Sequence, residues 1–291
     1  MTTEDVALRF RGLDTWPDAE VLEALLERNF AALAAVRPAL PELERAARGA
    51  AERLERGSGR LLYAGAGTSG RLAALDAVEL PPTFGWPHER LGYLLAGGEE
   101  ALVRSAEAAE DAAGEAERRV REAGLGPEDV LVGVAASGRT PFTVAAVRTA
   151  RSLGAFTVGL ANNPQTPLLA AAEVGVLLET GPEVLAGSTR LAAGTAQKVA
   201  LNLFSTLLMI RLGRVYSNLM VGVKASNEKL VRRAVGIVAE IAGVDAERAR
   251  ALLERAGGDV RLAVLLEREP DPEAARRRLA AAGGNLREAL E

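Results

Sequence analysis

Two kinds of hydrophobic pattern follow one another along the chain. Over residues 18–56, apolar residues such as Leu22, Leu26 and Phe30 recur at helical spacing, which predicts helices up to a Gly-Ser-Gly turn at 57–59. Beyond this turn, short apolar runs alternate with helical patterns. The runs cover residues 61–64, 91–95, 130–135, 156–160 and 174–178, and the helical patterns lie around 69–79, 99–122 and 140–152. Strands of this kind, each followed by a helix, predict a parallel sheet covered on both faces.

The fold class that follows is α/β: a flavodoxin-like doubly wound sheet of five parallel strands in the order 2-1-3-4-5. We expect N-terminal helices over residues 1–58, the sheet domain over 59–229, with a long helix at 193–212, and a small all-helical, three-helix C-terminal module over 230–291. Within this module, helical patterns cover 230–243, 245–256 and 258–267, and a further pattern covers 271–290. Asp245 and Asp259 are the predicted N-caps.

Composition and charge exclude several functions. The 291 residues carry a net charge of −4, which argues against binding nucleic acid through a broad basic surface. With no cysteine and one histidine, His88, the sequence lacks disulfides, thiolate metal sites and multi-histidine sites. Its start is acidic and no apolar run reaches the ~18–20 residues of a membrane span. We therefore expect a cytoplasmic protein with no nucleic-acid or membrane partner.

A glycine-rich loop follows the first predicted strand and opens a helix. Its sequence, Gly65-Ala66-Gly67-Thr68-Ser69-Gly70, satisfies the G-x-G-x-x-G pattern of dinucleotide sites. However, the second strand ends in Ala96-Gly97-Gly98 rather than in the acidic residue that a dinucleotide ribose requires. The two hydroxyls favour a phosphate monoester held by side chains and helix N–H groups.

A second loop of the same kind, Ser137-Gly138-Arg139-Thr140, follows the third strand, with Thr140 as the predicted N-cap and Pro141 as the first helical residue. Taken alone, either loop could be a tight turn with a capping residue. In a 2-1-3-4-5 sheet, however, strands one and three flank the point where ligands bind. The pair of loops therefore predicts a site for a phosphorylated small molecule.

Carboxylates accompany these loops. Asp76 and Glu79 lie on the first helix, which Pro81-Pro82 is expected to end, and Glu107 and Glu110 lie on the next helical pattern. By itself, a glutamate pair three residues apart on an alanine-rich helix is usually a solvated face. These carboxylates are of interest because both helices belong to the same side of the sheet as the predicted crevice.

Four segments in matching order carry a resemblance to a known family: Thr68-Ser69-Gly70-Arg71, the run Pro81 to Gly85, the run Ala135 to Pro141, and Ala193 to Lys198. From about residue 60 to 229, the sequence resembles N-acetylmuramic acid 6-phosphate etherases, which carry a sugar-isomerase (SIS) domain. The same domain type occurs in the glucokinase regulatory protein, which binds a sugar phosphate without chemistry.

The resemblance implies cleavage of the D-lactyl ether of N-acetylmuramic acid 6-phosphate, without a cofactor or metal, in cell-wall amino-sugar recycling. It implies a homodimer with sites near the subunit boundary. The catalytic glutamates of the family fall on Glu79 and Glu110. Our hypothesis is that Glu110 is the base at carbon 2, and that Glu79 is the acid/base at carbon 3, which protonates the lactyl oxygen and then activates the water. The implied substrate-binding residues are Gly67, Thr68, Ser69, Glu107, Ser137, Arg139, Thr140 and Ser188.

The sequence departs from the family in two places. Ala192 stands where the family usually has a lysine, and the N-terminal family signature survives only as Thr3-Glu4. These departures leave two alternatives open: a non-catalytic sugar-phosphate-binding regulator and a phosphosugar isomerase.

Overall fold

The structure, a computed structural model, describes residues 1–55, 57–104, 106–223 and 227–291, and of Glu107 the backbone alone. The chain divides into two compact units. The first comprises Met1–Ala77 and Glu89–Ser205, and the second comprises Val78–His88 and Thr206–Glu291. No helix in the described part of the chain is both long and apolar enough to cross a membrane.

A five-stranded parallel sheet forms the centre of the first unit, as predicted. Its strands are β1 (Leu61–Gly65), β2 (Leu91–Leu95), β3 (Val130–Val134), β4 (Phe156–Ala161) and β5 (Val174–Leu177), in the order β2-β1-β3-β4-β5. Gly65 pairs with Leu95 on one side and with Val134 on the other, so the carboxyl ends of these three strands are level. Successive residues of β3, Leu131 and Val132, are both fully buried, which shows that both faces of the sheet are covered.

In the part of the chain that the structure describes, seven α-helices accompany the sheet. They are α1 (Asp18–Val36), α2 (Leu40–Leu54), α3 (Gly67–Phe84), α4 (Ala113–Glu122), α5 (Pro141–Ser152), α6 (Pro167–Ala171) and α7 (Ala192–Arg211). The last of these confirms the predicted long helix. Helices α3 and α7 each continue from the first unit into the second.

Two helix predictions need correction. Pro81-Pro82 does not end α3, which continues to Phe84. The fixed φ of proline is compatible with a helix, so the chain continues through one more turn, and the helix ends with the Gly85 N–H donating to the Pro81 carbonyl at 2.9 Å.

The predicted helix over 99–122 is mostly absent. Instead, short 3₁₀ turns at Glu99–Leu102 and Glu107–Asp111 precede α4. A methyl group built on Gly97 would lie 2.7 Å from the Ala106 Cβ and 3.5 Å from the Ala109 Cβ. Packing of these alanines against the glycine turn therefore replaces a regular helix, because helix propensity is a weak preference beside tertiary contact.

The second unit is mainly helical. It holds a short antiparallel hairpin that the sequence pattern did not predict, β6 (Val215–Tyr216) with β7 (Leu219–Met220). Over its described residues it also has the helices α8 (Glu228–Ala242), α9 (Ala246–Arg255), α10 (Val260–Arg268), α11 (Pro272–Ala281) and α12 (Leu286–Leu290). Asp245 and Asp259 cap α9 and α10, as predicted.

The pattern over 271–290 is two helices rather than one, because Gly283 and Gly284 adopt positive φ between them. Helices α8, α9 and α10 pack on one another, whereas the three-helix module over 230–291 stays a prediction. The domain boundaries at residues 58 and 230 stay predictions.

Candidate functional site

The loop after β1 is built for close approach of the backbone. Gly67 opens α3 with φ +52°, and the Gly70 N–H donates to the Ala66 carbonyl at 2.9 Å. A methyl group on Gly65 would lie 2.7 Å from the Gly70 Cα, so strand and helix touch backbone to backbone. Ser69 is buried and Thr68 is half-buried, which places both hydroxyls at the start of α3. The first N–H groups of a helix carry partial positive charge and suit an anion.

The loop after β3 lies beside the first loop, because β1 and β3 are neighbours. Its Ser137 hydroxyl oxygen accepts a hydrogen bond from the Arg139 N–H at 3.1 Å. Gly138 has φ +65°, and a methyl group there would overlap Thr166. Thr140 stands at the N-cap position of α5, as predicted, but among the described contacts its side chain makes no capping bond. Arg139 is exposed.

A third loop, ahead of α7, joins the first two. A methyl group on Gly194 would lie 3.6 Å from the Thr68 Cγ2 and 3.3 Å from the Thr189 carbonyl oxygen. This contact brings half-buried Ser188 and its neighbour Thr189 toward the start of α3. The three loops, at residues 65–70, 137–140 and 187–190, are called the loop cluster below.

Glu183, which precedes the third loop, has a structural role that the sequence pattern did not predict. Its buried carboxylate accepts the Ala192 N–H at 3.0 Å and the Ala193 N–H at 2.8 Å, and so caps α7. Because Glu183 lies nine residues ahead of the helix, it lacks the local spacing of a capping box. Ala192, where the family has a lysine, is fully buried.

Glu110 lies over the first loop. Its Oε1 is 2.9 Å from the position that a methyl group on Gly67 would take, and its side chain is half-buried. Glu107 shares the same 3₁₀ turn. Its side chain lies outside the described residues, so its predicted contact with substrate stays a prediction.

Glu79, unlike Glu110, does not belong to the unit that holds the loop cluster. It lies in the last turns of α3, it is exposed, and it belongs to the second unit. The first unit therefore holds the loop cluster and Glu110 but not Glu79. Two nearby apolar side chains of α3 are also exposed, Leu75 at 43% and Val78 at 51%.

Asp76, which the sequence analysis left without a role, is a buried anchor of α3. Its carboxylate accepts hydrogen bonds from the Tyr63 hydroxyl at 2.9 Å, the Asn202 amide at 3.0 Å and the Ser205 hydroxyl at 3.1 Å. Burial raises the pKa of Asp76, although these hydrogen bonds oppose the shift. The network ties α3 to β1 and α7 and fixes how α3 is rotated about its axis.

Metal ligands are sparse at this edge. Within the described ranges, no three histidine, cysteine, aspartate or glutamate side chains are grouped to hold a metal ion. His88, to which no role was given, is exposed. The loop cluster offers a ligand hydroxyls, backbone N–H groups and the exposed guanidinium of Arg139, and Glu110 beside the first loop adds one carboxylate.

Fold and loop cluster together define a class of protein. Family models match the glucokinase regulatory protein N-terminal SIS domain over residues 44–151 and the SIS domain over residues 112–209. The crystal structure of a Bacteroides fragilis protein, assigned as a phosphosugar isomerase involved in capsule formation, is similar with a TM-score of 0.52 and 21% identity. The similarity covers 69% of this chain and 95% of that chain. The chain therefore carries a SIS domain, which confirms the predicted fold class.

Relatives narrow the class to one family. The N-acetylmuramic acid 6-phosphate etherase of Deinococcus radiodurans is 51% identical over 289 residues, which is 99% of this chain and 94% of the relative. The etherase of Streptomyces coelicolor is 47% identical over 100% of this chain and 93% of its own. The chain belongs to the N-acetylmuramic acid 6-phosphate etherase family, as its motifs predicted.

Proposed function

We propose that this protein cleaves the D-lactyl ether of N-acetylmuramic acid 6-phosphate, giving N-acetylglucosamine 6-phosphate and D-lactate. The observation that carries the proposal is near-full-length similarity to etherases at 45–51% identity. The loop cluster supports it, because a phosphate monoester fits two helix N-termini lined with hydroxyls. The cytoplasm, where sugar phosphates are made and consumed, is the proposed compartment.

Two carboxylates suffice for the chemistry. In the open-chain sugar, the proton on carbon 2 lies next to the aldehyde, and Glu110 removes it as general base. The electron pair left on carbon 2 forms a double bond to carbon 3 as the bond from carbon 3 to the lactyl oxygen breaks. Glu79 donates a proton to that oxygen, and D-lactate leaves. Water then adds at carbon 3 and a proton returns to carbon 2, so the net reaction consumes one water.

The loop cluster is proposed to hold the 6-phosphate. Helices α3 and α5 begin at neighbouring strand ends, so their N–H groups converge on one point of the sheet edge. Hydroxyls and backbone groups complete the site, and an arginine at its rim adds positive charge. The proposed binding residues are Gly67, Thr68, Ser69, Glu107, Ser137, Arg139, Thr140 and Ser188.

We propose further that the protein is a homodimer, because α1 carries an apolar stripe that faces outward. Leu22, Leu26 and Phe30 repeat every four residues along this helix and are 66%, 49% and 62% exposed. Contiguous exposed apolar surface of this kind marks an interaction surface. A Phe30→Asp substitution should shift the protein toward monomer in light scattering. The substitution Glu23→Ala, on an exposed polar position of the same helix, should leave it dimeric.

The subunit boundary is also the proposed setting of Glu79. This side chain is exposed beside exposed Val78 and Leu75, as expected where a second subunit covers α3. Glu79 of one subunit would then act beside the loop cluster and Glu110 of its partner.

The decisive experiment measures D-lactate release from N-acetylmuramic acid 6-phosphate. Wild type should release it, and Glu79→Gln and Glu110→Gln should each lower the rate by ~100-fold or more while keeping the wild-type circular dichroism spectrum. A folded wild-type protein that binds the sugar phosphate but releases no lactate would contradict the proposal.

That outcome would favour a second candidate, a sugar-phosphate-binding regulator. The match over residues 44–151 to the glucokinase regulatory protein domain is the observation behind it. A regulator would bind a hexose 6-phosphate and keep that affinity in both glutamine variants.

A further inference from the structure

The N-terminus of the chain is anchored at the edge of the sheet that carries the loop cluster. Thr3 is fully buried, and its N–H donates to the Asn163 Oδ1 at 2.9 Å while its hydroxyl oxygen accepts from the Asn163 Nδ2 at 2.9 Å. Asn163 lies just beyond β4, and its neighbour Asn162 donates its backbone N–H to the Ala136 carbonyl at 2.9 Å. Since Ala136 precedes Ser137, Thr3 is held close to the second loop.

Glu4 extends this anchor toward the third loop. The Thr3 hydroxyl donates to the Glu4 Oε1 at 3.2 Å. The other carboxylate oxygen, Oε2, lies 3.4 Å from the position of a methyl group built on Gly187, the residue before Ser188. Glu4 is otherwise exposed. One carboxylate is thus fixed between the second and third loops with an open side.

The contacts of Thr3 and Glu4 complete a ring of contacts that joins the three loops of the loop cluster. The first and third loops meet at Thr68 and Gly194, and the tip Thr3-Glu4 spans the interval between the third loop and the second. A buried threonine and a pair of reciprocal hydrogen bonds tie Thr3 and Glu4 to this one place.

We propose that Glu4 is a substrate-binding residue, which accepts a hydrogen bond from a hydroxyl or amide N–H of the sugar and is positioned by Thr3 and Asn163. The inference rests on the proposed function for the identity of the sugar phosphate. An ionised carboxylate only accepts hydrogen bonds. It repels the phosphate and the lactyl carboxylate and attracts the neutral donors of the sugar, so Glu4 orients the substrate with its phosphate toward the helix N-termini.

The test combines kinetics with binding. Glu4→Ala should raise KM for lactate release by ~10-fold, the loss expected when a charged hydrogen-bond acceptor is removed, with kcat changed less. The dissociation constant of N-acetylglucosamine 6-phosphate, measured by calorimetry, should rise by a similar factor. Glu4→Gln, which keeps one acceptor oxygen, should lose less. The thermal midpoint should stay at the wild-type value, because Glu4 is exposed.

A neighbouring carboxylate provides the control. Asp5 is exposed and accepts a hydrogen bond from the Thr2 N–H at 2.7 Å, so Asp5→Asn should leave KM unchanged. Thr3→Val should raise KM as Glu4→Ala does and should also lower the thermal midpoint. Unchanged KM and unchanged affinity in Glu4→Ala would overturn the proposal, as would equal losses in Asp5→Asn. If wild type releases no lactate, the proposed function fails, while the calorimetric arm still decides the role of Glu4.

Discussion

The substitution Gly67→Ala tests whether the position of Glu110, the proposed general base, affects activity separately from the stability of the fold. The added methyl group would lie 2.9 Å from the Glu110 Oε1, and ordinary contact begins at 3.4 Å. The carboxylate therefore has to retreat by ~0.5 Å, which it can do because it is the end of a flexible side chain. The backbone at residue 67, with φ +52°, is in the left-handed region, where alanine is strained by ~1–2 kcal/mol.

Two separate losses follow. The strain should lower the free energy of unfolding by ~1 kcal/mol, somewhat less than the full penalty because the loop can relax. The displaced carboxylate should lower kcat by ~10-fold, since a shift of ~1 Å at a reacting group can reduce the rate ~100-fold.

Gly124 offers a matched control. It has φ +62°, and a methyl group there would meet nothing within 4 Å. Gly124→Ala should lose about as much stability in urea unfolding and should keep the wild-type kcat for D-lactate release. Calorimetric binding of N-acetylglucosamine 6-phosphate shows whether the new methyl group merely blocks the substrate. The reasoning is refuted if Gly67→Ala keeps wild-type kcat, or if Gly124→Ala loses as much activity.

Three further predictions concern carboxylates. If the proposed dimer shares its sites between subunits, mixing Glu79→Gln and Glu110→Gln subunits after dissociation should restore about a quarter of the wild-type rate. Half of the dimers would then be mixed, and each mixed dimer would have one intact site out of two. No recovery would contradict the shared site. Glu183→Ala should lower the free energy of unfolding by ~2–3 kcal/mol, since two buried N–H groups lose their acceptor, whereas exposed Glu179→Ala should change it little; equal effects would contradict the capping role. Burial favours the neutral form of Asp129, but the hydrogen bonds from Arg60 and from the Gly126 N–H, together with the charge of Arg60, outweigh it and hold the pKa of Asp129 below its usual value. The stability that Asp129 contributes is therefore present above about pH 4 and is lost as the pH falls through the lowered pKa. The stability advantage of wild type over Asp129→Asn should shrink below pH 4, and an advantage that stays constant would refute this.

The local pattern of apolar and polar residues predicted most of the fold. The apolar runs at 130–135 and 156–160 correspond to β3 and β4, with one end of each shifted by a residue. These strands could be predicted because a short run of consecutive apolar residues is enough to indicate each of them. The prediction of a helix over 99–111 was wrong because the structure there depends on a contact between residues that are not consecutive. There the alanine-rich sequence favours a helix locally, but contact with Gly97, which no short window reveals, imposes 3₁₀ turns.

The candidate site also has parts that the local sequence predicts and parts that it does not. The first two loops were predictable because glycine and hydroxyl residues directly follow strands. The pairing of Thr3 with Asn163 joins positions 160 residues apart, and no spacing rule connects them. Glu183 was missed because its capping role depends on the path of the third loop rather than on distance along the chain.

Glu183 also limits where the substrate phosphate can bind. Helices α3, α5 and α7 all begin at the loop cluster, and each helix start attracts an anion. The Glu183 carboxylate already occupies the start of α7, accepting two N–H groups there, and it would repel a second anion. The phosphate is therefore expected at the starts of α3 and α5, between β1 and β3. A sugar bound there would extend past Glu110, which lies over the first loop, and its uncharged donors would remain for Glu4 on the opposite side of the ring.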